Sequence, residues 1–426
     1  MKKCLLITYF FPPVNAVAGL RAGSWANHFH EYGVFPTVIT RHWSGNESKW
    51  SDLTGDTGSE ITYEEFPDYN IYRLPSSKLK AIELFRNNLL KIPLFSKLFY
   101  FIINLLGHFN VEADARKSFR EFVEEHLKSN SYDLIIVTSP PLNLIRLAAE
   151  INKISGIPVH VDFRDLWNNG YLNADYHPPF TLRYIDRFKK NYIQRWLKNV
   201  SSVSAVSAPI GDVLRSIYKG NLLIITNGYD ETLYENAEKK ISSRFRFALV
   251  GTYYMQQDFS ILIDGLKEFL KDKKTDEVLI NLIGVSIHND VARLLKNALP
   301  ANFVEMHDRV NTMDAVNYMV NSEVLFQAAW KGYRGVYTTK LFDFMASRNK
   351  VLIAPGDDDV IDEIVERTGT GSIANSASDF VHILNQWFEE WKSTGKIAMN
   401  INEEELQKYS RRRGAEALAK IILENY

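Results

Sequence analysis

Short apolar runs rich in β-branched residues alternate with longer segments of helical period through nearly all of this 426-residue chain. Strand and amphipathic helix in repeated alternation fold into parallel sheets, because each helical crossover returns the chain to the same edge. The first half offers strands at Cys4–Thr8, Thr37–Thr40, Ile71–Leu74, Leu134–Thr138, Val159–Phe163, Ser202–Val206 and Leu222–Thr226. The second offers Arg246–Val250, Val278–Ile283, Phe303–His307, Val324–Gln327, Val351–Ala354 and Ser372–Ala374. The expected fold is therefore α/β, with two Rossmann-like doubly wound parallel-sheet domains and a ligand cleft between them. A chain of this length exceeds one ordinary core, and the turn-forming pair Asn227-Gly228 marks the expected join. Domains are expected at residues 1–226 and 227–400, with 401–426 as a C-terminal helix packing back on the first.

Formal net charge is −1, which removes a global argument for nucleic-acid binding. The single cysteine, Cys4, lies in the apolar run CLLIT and reads as a buried strand position. Lys2 and Lys3 precede a short apolar run, but aromatics and paired prolines follow where a cleavage site would need small residues, so a first core strand is expected. A reducing cytoplasm is the expected compartment. Residues His42 to Asn70 are polar and Gly-rich and read as a surface loop. Residues Leu89 to Phe109 are apolar and aromatic, with Lys91 and Lys97 on the approach. Pro93 and the short apolar length argue against a span, leaving a peripheral membrane helix or a buried helix of the first domain.

Chemistry concentrates where strands end. In VYTTKLFDFMASRNKVLIAP, Val336 to Pro355, a short helix feeds a buried strand. Thr338 or Thr339 caps it, Leu341, Phe342 and Met345 form its apolar stripe, and Lys340 and Asp343 share the other face. Free amides and Lys340 suit a diphosphate, while Asp343 can accept hydrogen bonds from a ribose diol, so a nucleotide sugar is the expected ligand. An ordinary surface helix is the rival reading. After the first strand, Pro12-Pro13 shapes a turn and Gly19 and Arg21 open a helix; Arg21 suits a phosphate or carboxylate clamp, or a structural turn. In HVDFRDLW, Asp162, Arg164 and Asp165 crowd the sheet edge, either as an acid–base arrangement or as a structural ion pair. Asp357, Asp358 and Asp359 precede a helical run and read as capping residues. No zinc-like spacing, G-x-S-x-G elbow or phosphate-binding P-loop is present, which sets aside hydrolase and P-loop readings.

With these segments in order, the chain resembles a retaining glycosyltransferase of the GT-B fold, similar to the family 4 group that builds cell-surface polysaccharides. TYFFPPVNAVAGLR resembles its opening loop, VDFRDLW its Arg-Asp-Leu-Trp segment, and NGYD, Asn227 to Asp230, its interdomain signature. FALVGTYYMQQD resembles the first donor-domain turn, FVEMHDRV the strand end that cradles the base, and TTKLFDFMASRNKVLIAP its Lys-Leu-x-Glu-Tyr element. The resemblance implies an acceptor side with Gly19, Arg21, Arg164 and Asp165. It implies donor contacts from Gly251, Thr252, Arg309, Val310, Thr338, Thr339, Lys340 and Asp343. The chain departs from the commonest pattern: Gly335 and Asp343 stand where two glutamates lie eight apart, and Thr252, Gln256 and Gln257 replace the usual basic pair. Charge for the diphosphate must then come from Lys331, Arg334 or Lys340. The implied reaction is metal-independent hexosyl transfer with no cofactor, from a nucleotide sugar to a glycan or lipid-linked acceptor, with Asp165, Lys340 and Asp343 as catalytic candidates. A non-catalytic nucleotide- or sugar-binding protein, or a nucleotide-sugar 2-epimerase using His307 beside Asp308, are the alternatives.

Overall fold

The computed structural model describes residues 1–14, 16–45, 58–75, 93–109, 116–173, 175–235, 237–287, 289–330 and 332–425. The chain forms two compact units. The first comprises Met1–Tyr171, Asp175–Thr226 and Arg412–Tyr426, the second Leu172–Ala174 and Asn227–Arg411.

The first unit is built on eight strands, β1 (Lys2–Ile7), β2 (Val34–Arg41), β3 (Thr62–Glu65), β4 (Asn70–Leu74), β5 (Leu134–Ser139), β6 (Val159–Phe163), β7 (Ser202–Ala205) and β8 (Asn221–Ile224). Their order is β3-β4-β2-β1-β5-β6-β7-β8, parallel except for the β3–β4 pair. β5 and β6 are buried on both faces, as strands sandwiched between helix layers must be. One edge differs from expectation. The stretch read as a loop from His42 to Asn70 contains β3, whose four residues TYEE are all exposed. A polar edge strand carries no alternating apolar signal; it is held by Tyr63 stacking against Tyr72 and by Arg73 pairing with Glu64.

The second unit has six strands, β9 (Phe245–Val250), β10 (Val278–Ile283), β11 (Val304–His307), β12 (Val324–Gln327), β13 (Lys350–Ile353) and β14 (Gly371–Ile373). All pair in parallel, in the order β11-β10-β9-β12-β13-β14. Phe245, Phe247, Phe326, Phe380 and Phe388 fill one side of this sheet. Ala248, Leu325, Leu341, Phe342 and Met345 fill the other.

The single C-terminal helix expected within 401–426 is two helices, Glu403–Gln407 and Arg411–Asn425. The break is a pairing event: the Tyr229 amide donates to the Tyr409 carbonyl at 3.0 Å, and the Arg411 amide donates to Tyr229 at 2.9 Å. Beyond it, Ala415, Leu418, Ala419 and Ile422 enter the core of the first unit beside Trp25, Phe29 and Ile225.

Candidate functional site

In the second unit the chain runs from β9 outward through β10 and β11, then crosses back to β12 on the other side of β9. The carboxyl ends of β9 and β12 therefore diverge into a crevice, the usual ligand position of an open parallel sheet. Gly251 leaves β9 at φ +94° and Gly284 leaves β10 at φ +71°, conformations that disfavour any side chain. A β-carbon on Gly251 would lie 3.1 Å from Cδ of Lys340, and one on Gly284 would lie 3.7 Å from the Gly251 Cα and 3.9 Å from that of Arg309. Three strand ends thus meet backbone to backbone.

Lys340 sits in the first turn of the Thr339–Ala346 helix, which is fixed by buried Leu341, Phe342, Phe344 and Met345. Its ammonium donates to the Thr252 carbonyl at 2.6 Å and lies 3.4 Å from the centre of the Tyr253 ring. Burial pushes its pKa down to about 7. Tyr253 is itself buried and donates to the Phe326 carbonyl at 2.5 Å, and Gln257 donates to Ala328 at 2.7 Å, so the platform under the lysine spans both sides of the crevice.

Thr338 occupies the N-cap with an extended backbone, yet its hydroxyl makes no capping bond and its oxygen is buried without a partner. The expected cap is therefore absent; the Thr339 and Lys340 amides keep their capacity, while the Leu341 amide donates to the Thr338 carbonyl at 3.2 Å. Thr339 begins the helix, half-buried. Asp343 is half-buried one turn on, and its carboxyl has no hydrogen-bond partner among the described residues. Burial raises its pKa to about 6, Arg411 opposing and Asp230 adding to the rise. The nearby Tyr234 hydroxyl is also buried without a partner.

Other expected donor residues fare differently. The Gly251 amide is spent on the Ile283 carbonyl at 2.8 Å, so it cannot serve as the free donor anticipated for it. The Thr252 carbonyl is taken up by Lys340. Arg309 follows β11 with its backbone beside Gly284, and Val310 packs against the core under the Thr339–Ala346 helix. Arg334 is exposed, its amide bonded to Leu172 at 2.7 Å, and no contact joins it to Lys340. Lys331 lies outside the described residues. His307 is 3.9 Å from Glu305, and Asp308 accepts from Ser286 at 3.0 Å. Asp357 accepts from the amides of Ile361 and Asp362, the capping role expected of that triplet. Among the described residues no group of three or more His, Cys, Asp or Glu side chains is placed to hold a metal ion.

In the first unit, two expected acceptor-side residues turn out to be structural. Arg21 is buried, grips Asp162 through two bonds of 2.8 and 3.0 Å, donates to the Thr226 carbonyl at 3.0 Å, and lies over Trp25. Each of its three guanidinium nitrogens is thus engaged within the first unit. Asp162 also accepts from Ser204 at 2.6 Å, and His160 bridges Ser202 and Ser204 at 2.8 Å each; burial lowers the His160 pKa to about 4, which keeps it neutral. Gly19 is required by the loop itself, since a β-carbon there would come within 2.6 Å of Val14.

The crowded trio after β6 is therefore divided. Arg164 pairs with neither carboxylate by hydrogen bond; it donates to the carbonyls of Ala18 and Pro140, both at 2.7 Å, and its Nε is buried without a partner. Asp165 is left exposed with no hydrogen bond among the described residues. Surrounding protein raises its pKa and the Arg164 charge lowers it. Around the same carboxyl edge, the hydroxyls of Ser139 and Ser207 and both polar atoms of the Asn143 amide are buried and have no partner among the described residues. Sequence reading missed Ser139, Asn143 and Ser207, although Ser139 ends β5 and the other two follow β5 and β7. It also missed Tyr253, whose signal was an aromatic directly after a glycine turn.

No protein-family model matches the chain, and no curated protein matches it by sequence. Solved structures do match in shape. A sucrose-phosphate synthase from Thermosynechococcus elongatus superposes with a TM-score of 0.65 at 12% identity, covering 100% of this chain and 99% of its own. A glycosyltransferase from Rickettsia africae gives 0.61 at 15% identity, with 100% of both chains covered. An Anabaena protein, HepE, in complex with UDP and glucose gives 0.60 at 14% identity, again over 100% of both. The chain has the GT-B fold, two Rossmann-like parallel-sheet units with helices around them.

Proposed function

We propose that the chain is a retaining, metal-independent glycosyltransferase of hexosyl type, moving a sugar from a nucleotide-sugar donor to a glycan or lipid-linked saccharide in cell-surface polysaccharide synthesis. The observation that carries this reading is Lys340: an ammonium in the first turn of a helix, mounted on Tyr253 at the crevice between β9 and β12. Breaking a glycosyl–phosphate bond gathers negative charge on the nucleoside diphosphate, so the protein must present positive charge and free amides where that diphosphate sits. Lys340 and the first-turn amides at Thr338 and Thr339 meet that need without the missing basic pair, and the unpartnered Thr338 hydroxyl adds a polar group. Asp343 takes the ribose diol. The Gly251 and Gly284 turns leave room for backbone approach, with Arg309 and Val310 on the side of the base. UDP and glucose bound to the Anabaena protein support a nucleoside diphosphate as the ligand.

On the acceptor side Asp165 orients the attacking hydroxyl, and the unpartnered groups of Ser139, Asn143, Arg164 and Ser207 receive further hydroxyls of a saccharide. In the transfer itself the acceptor oxygen bonds to the anomeric carbon as the carbon–phosphate oxygen bond breaks. The hydroxyl proton passes to the leaving phosphate on the same face, which retains configuration.

The test is a melting-temperature panel of nucleotide sugars followed by acceptor addition. One donor should stabilise the protein, and nucleoside diphosphate should appear only when an acceptor is present. Stabilisation without release under any acceptor reduces the protein to a binder; no stabilisation by any nucleotide sugar overturns the reading.

A further inference from the structure

The Pro93–Leu105 helix of the first unit turns an apolar stripe outward. Leu98, Ile102, Leu105 and Leu106 recur at helical spacing, yet they are 51, 44, 37 and 59% exposed. Of Phe99, Phe101 and Ile102, which the sequence alone would put in contact with lipid, Ile102 is exposed and the two aromatics are half-exposed. The outward stripe belongs to an anchored helix. Tyr192 donates to the Leu105 carbonyl at 3.1 Å, and Phe109, buried just beyond, packs its ring 6.0 Å from Tyr192 and 5.6 Å from Trp196.

Tyr192 and Trp196 come from the Phe180–Leu197 helix, which has its own unusual surface. Phe180 is 69% exposed, and Leu182 and Tyr184 stand open beside it. Exposed Arg183, Arg187 and Arg195 follow along the helix, with Lys198 just past its end. The helix has a single acid, Asp186, and that carboxylate is occupied by Tyr171 and by Asn168 at 3.2 Å. The outward charge is therefore positive and uncompensated. Large exposed apolar side chains beside uncompensated guanidinium groups complement an anionic lipid leaflet, whereas a second copy of this chain would bring cations against cations.

We propose that these two helices dock the protein on the surface of an anionic phospholipid membrane, with Leu98, Ile102, Leu105 and Leu106 in the headgroup layer and Arg183, Arg187 and Arg195 on lipid phosphates. The Pro93–Leu105 helix is 13 residues long, about 20 Å, against a hydrocarbon core of about 30 Å, so it lies in the interface. No helix among the described residues is long and apolar enough to cross a membrane.

Co-sedimentation of the full chain with vesicles tests this directly. Binding is expected to vesicles containing phosphatidylglycerol, not to pure phosphatidylcholine, and to weaken in about 0.5 M salt. Leu98→Ser with Ile102→Ser should lower the partition coefficient about tenfold or more, and Arg183→Ala with Arg187→Ala about tenfold at low salt. Both pairs are exposed, so melting temperature should hold. Unfolding of the serine variant would make the stripe a core element and overturn the proposal. So would equal binding to neutral vesicles, or a dimer that these variants dissociate in the absence of lipid. Nucleotide-sugar stabilisation should be unchanged in both variants, so failure here and failure of the donor reading are separately visible.

Discussion

The ammonium of Lys340 lies 3.4 Å from the centre of the Tyr253 ring, a cation held on an aromatic face at the mouth of the second sheet. Desolvation by that face and the surrounding crevice depresses the lysine, while the ring and the Thr252 carbonyl keep its charged form in place. If the proposed donor site is right, that positioned charge is the one a diphosphate would meet.

Removing it should be costly for the donor and mild for the fold. Lys340→Ala is expected to weaken donor binding and kcat/KM by roughly 10- to 100-fold, the usual loss of a charge-assisted hydrogen bond. Isothermal titration and initial rates check this; unchanged values in both would remove Lys340 from the site.

The same lysine sets a pH dependence. With a pKa of about 7 in the free protein, a bound diphosphate raises it, so binding takes up a proton above that value. Donor affinity should be highest between about pH 6 and 7, fall by up to about tenfold per unit as pH rises above 7, and decline below 6 as the Asp343 carboxylate takes up a proton. Lys340→Arg, which stays charged, should flatten the profile above about pH 7.

Asp343 predicts a stability change confined to the alkaline side of its pKa. Its folded pKa, about 6, is above the ordinary carboxylate value, so its protonated form favours the fold; that contribution is complete in acid and lost as pH rises through 6. Asp343→Asn should therefore raise the melting temperature at pH 8 and leave it nearly unchanged at pH 4. Donor affinity should fall with the same substitution if the carboxylate holds the ribose.

Arg21 separates structure from chemistry. Arg21→Ala strands the buried Asp162 carboxylate and should cost about 3–5 kcal/mol in urea unfolding. A stable protein with impaired acceptor binding would instead return Arg21 to the site.

Asp165 should behave in the reverse way. Asp165→Asn is expected to lower transfer by about 10²-fold or more while leaving melting temperature and donor-induced stabilisation in place. Equal transfer rates for the variant and the parent would eliminate it as the group that orients the acceptor.

The central strands were legible because they are buried and parallel, so they read as short β-rich, mostly apolar runs; β6, β10 and β12 coincide with the runs read from sequence. Strand β3 was not, since an exposed edge with TYEE carries no such run. In the site, Lys340 and Asp343 could be found from helical spacing beside a strand. The fate of Arg21 could not: whether an arginine meets a ligand or a carboxylate 141 residues away depends on a tertiary contact that local pattern does not encode. The unpartnered Ser139, Asn143 and Ser207 are invisible for the same reason, because each is an unremarkable polar residue until its neighbours are known to lack a bond for it.

The helix Arg411–Asn425 lends Leu418 and Ile422 to an interior otherwise assembled from residues between Cys4 and Ile225. Order of synthesis and order of completion are therefore opposed. During translation the first sheet emerges early with Trp25 and Phe29 uncovered, and it waits for nearly the whole polypeptide to leave the ribosome before that gap can be sealed. Termination anywhere before residue 411 would leave the gap beside Trp25 and Phe29 unfilled.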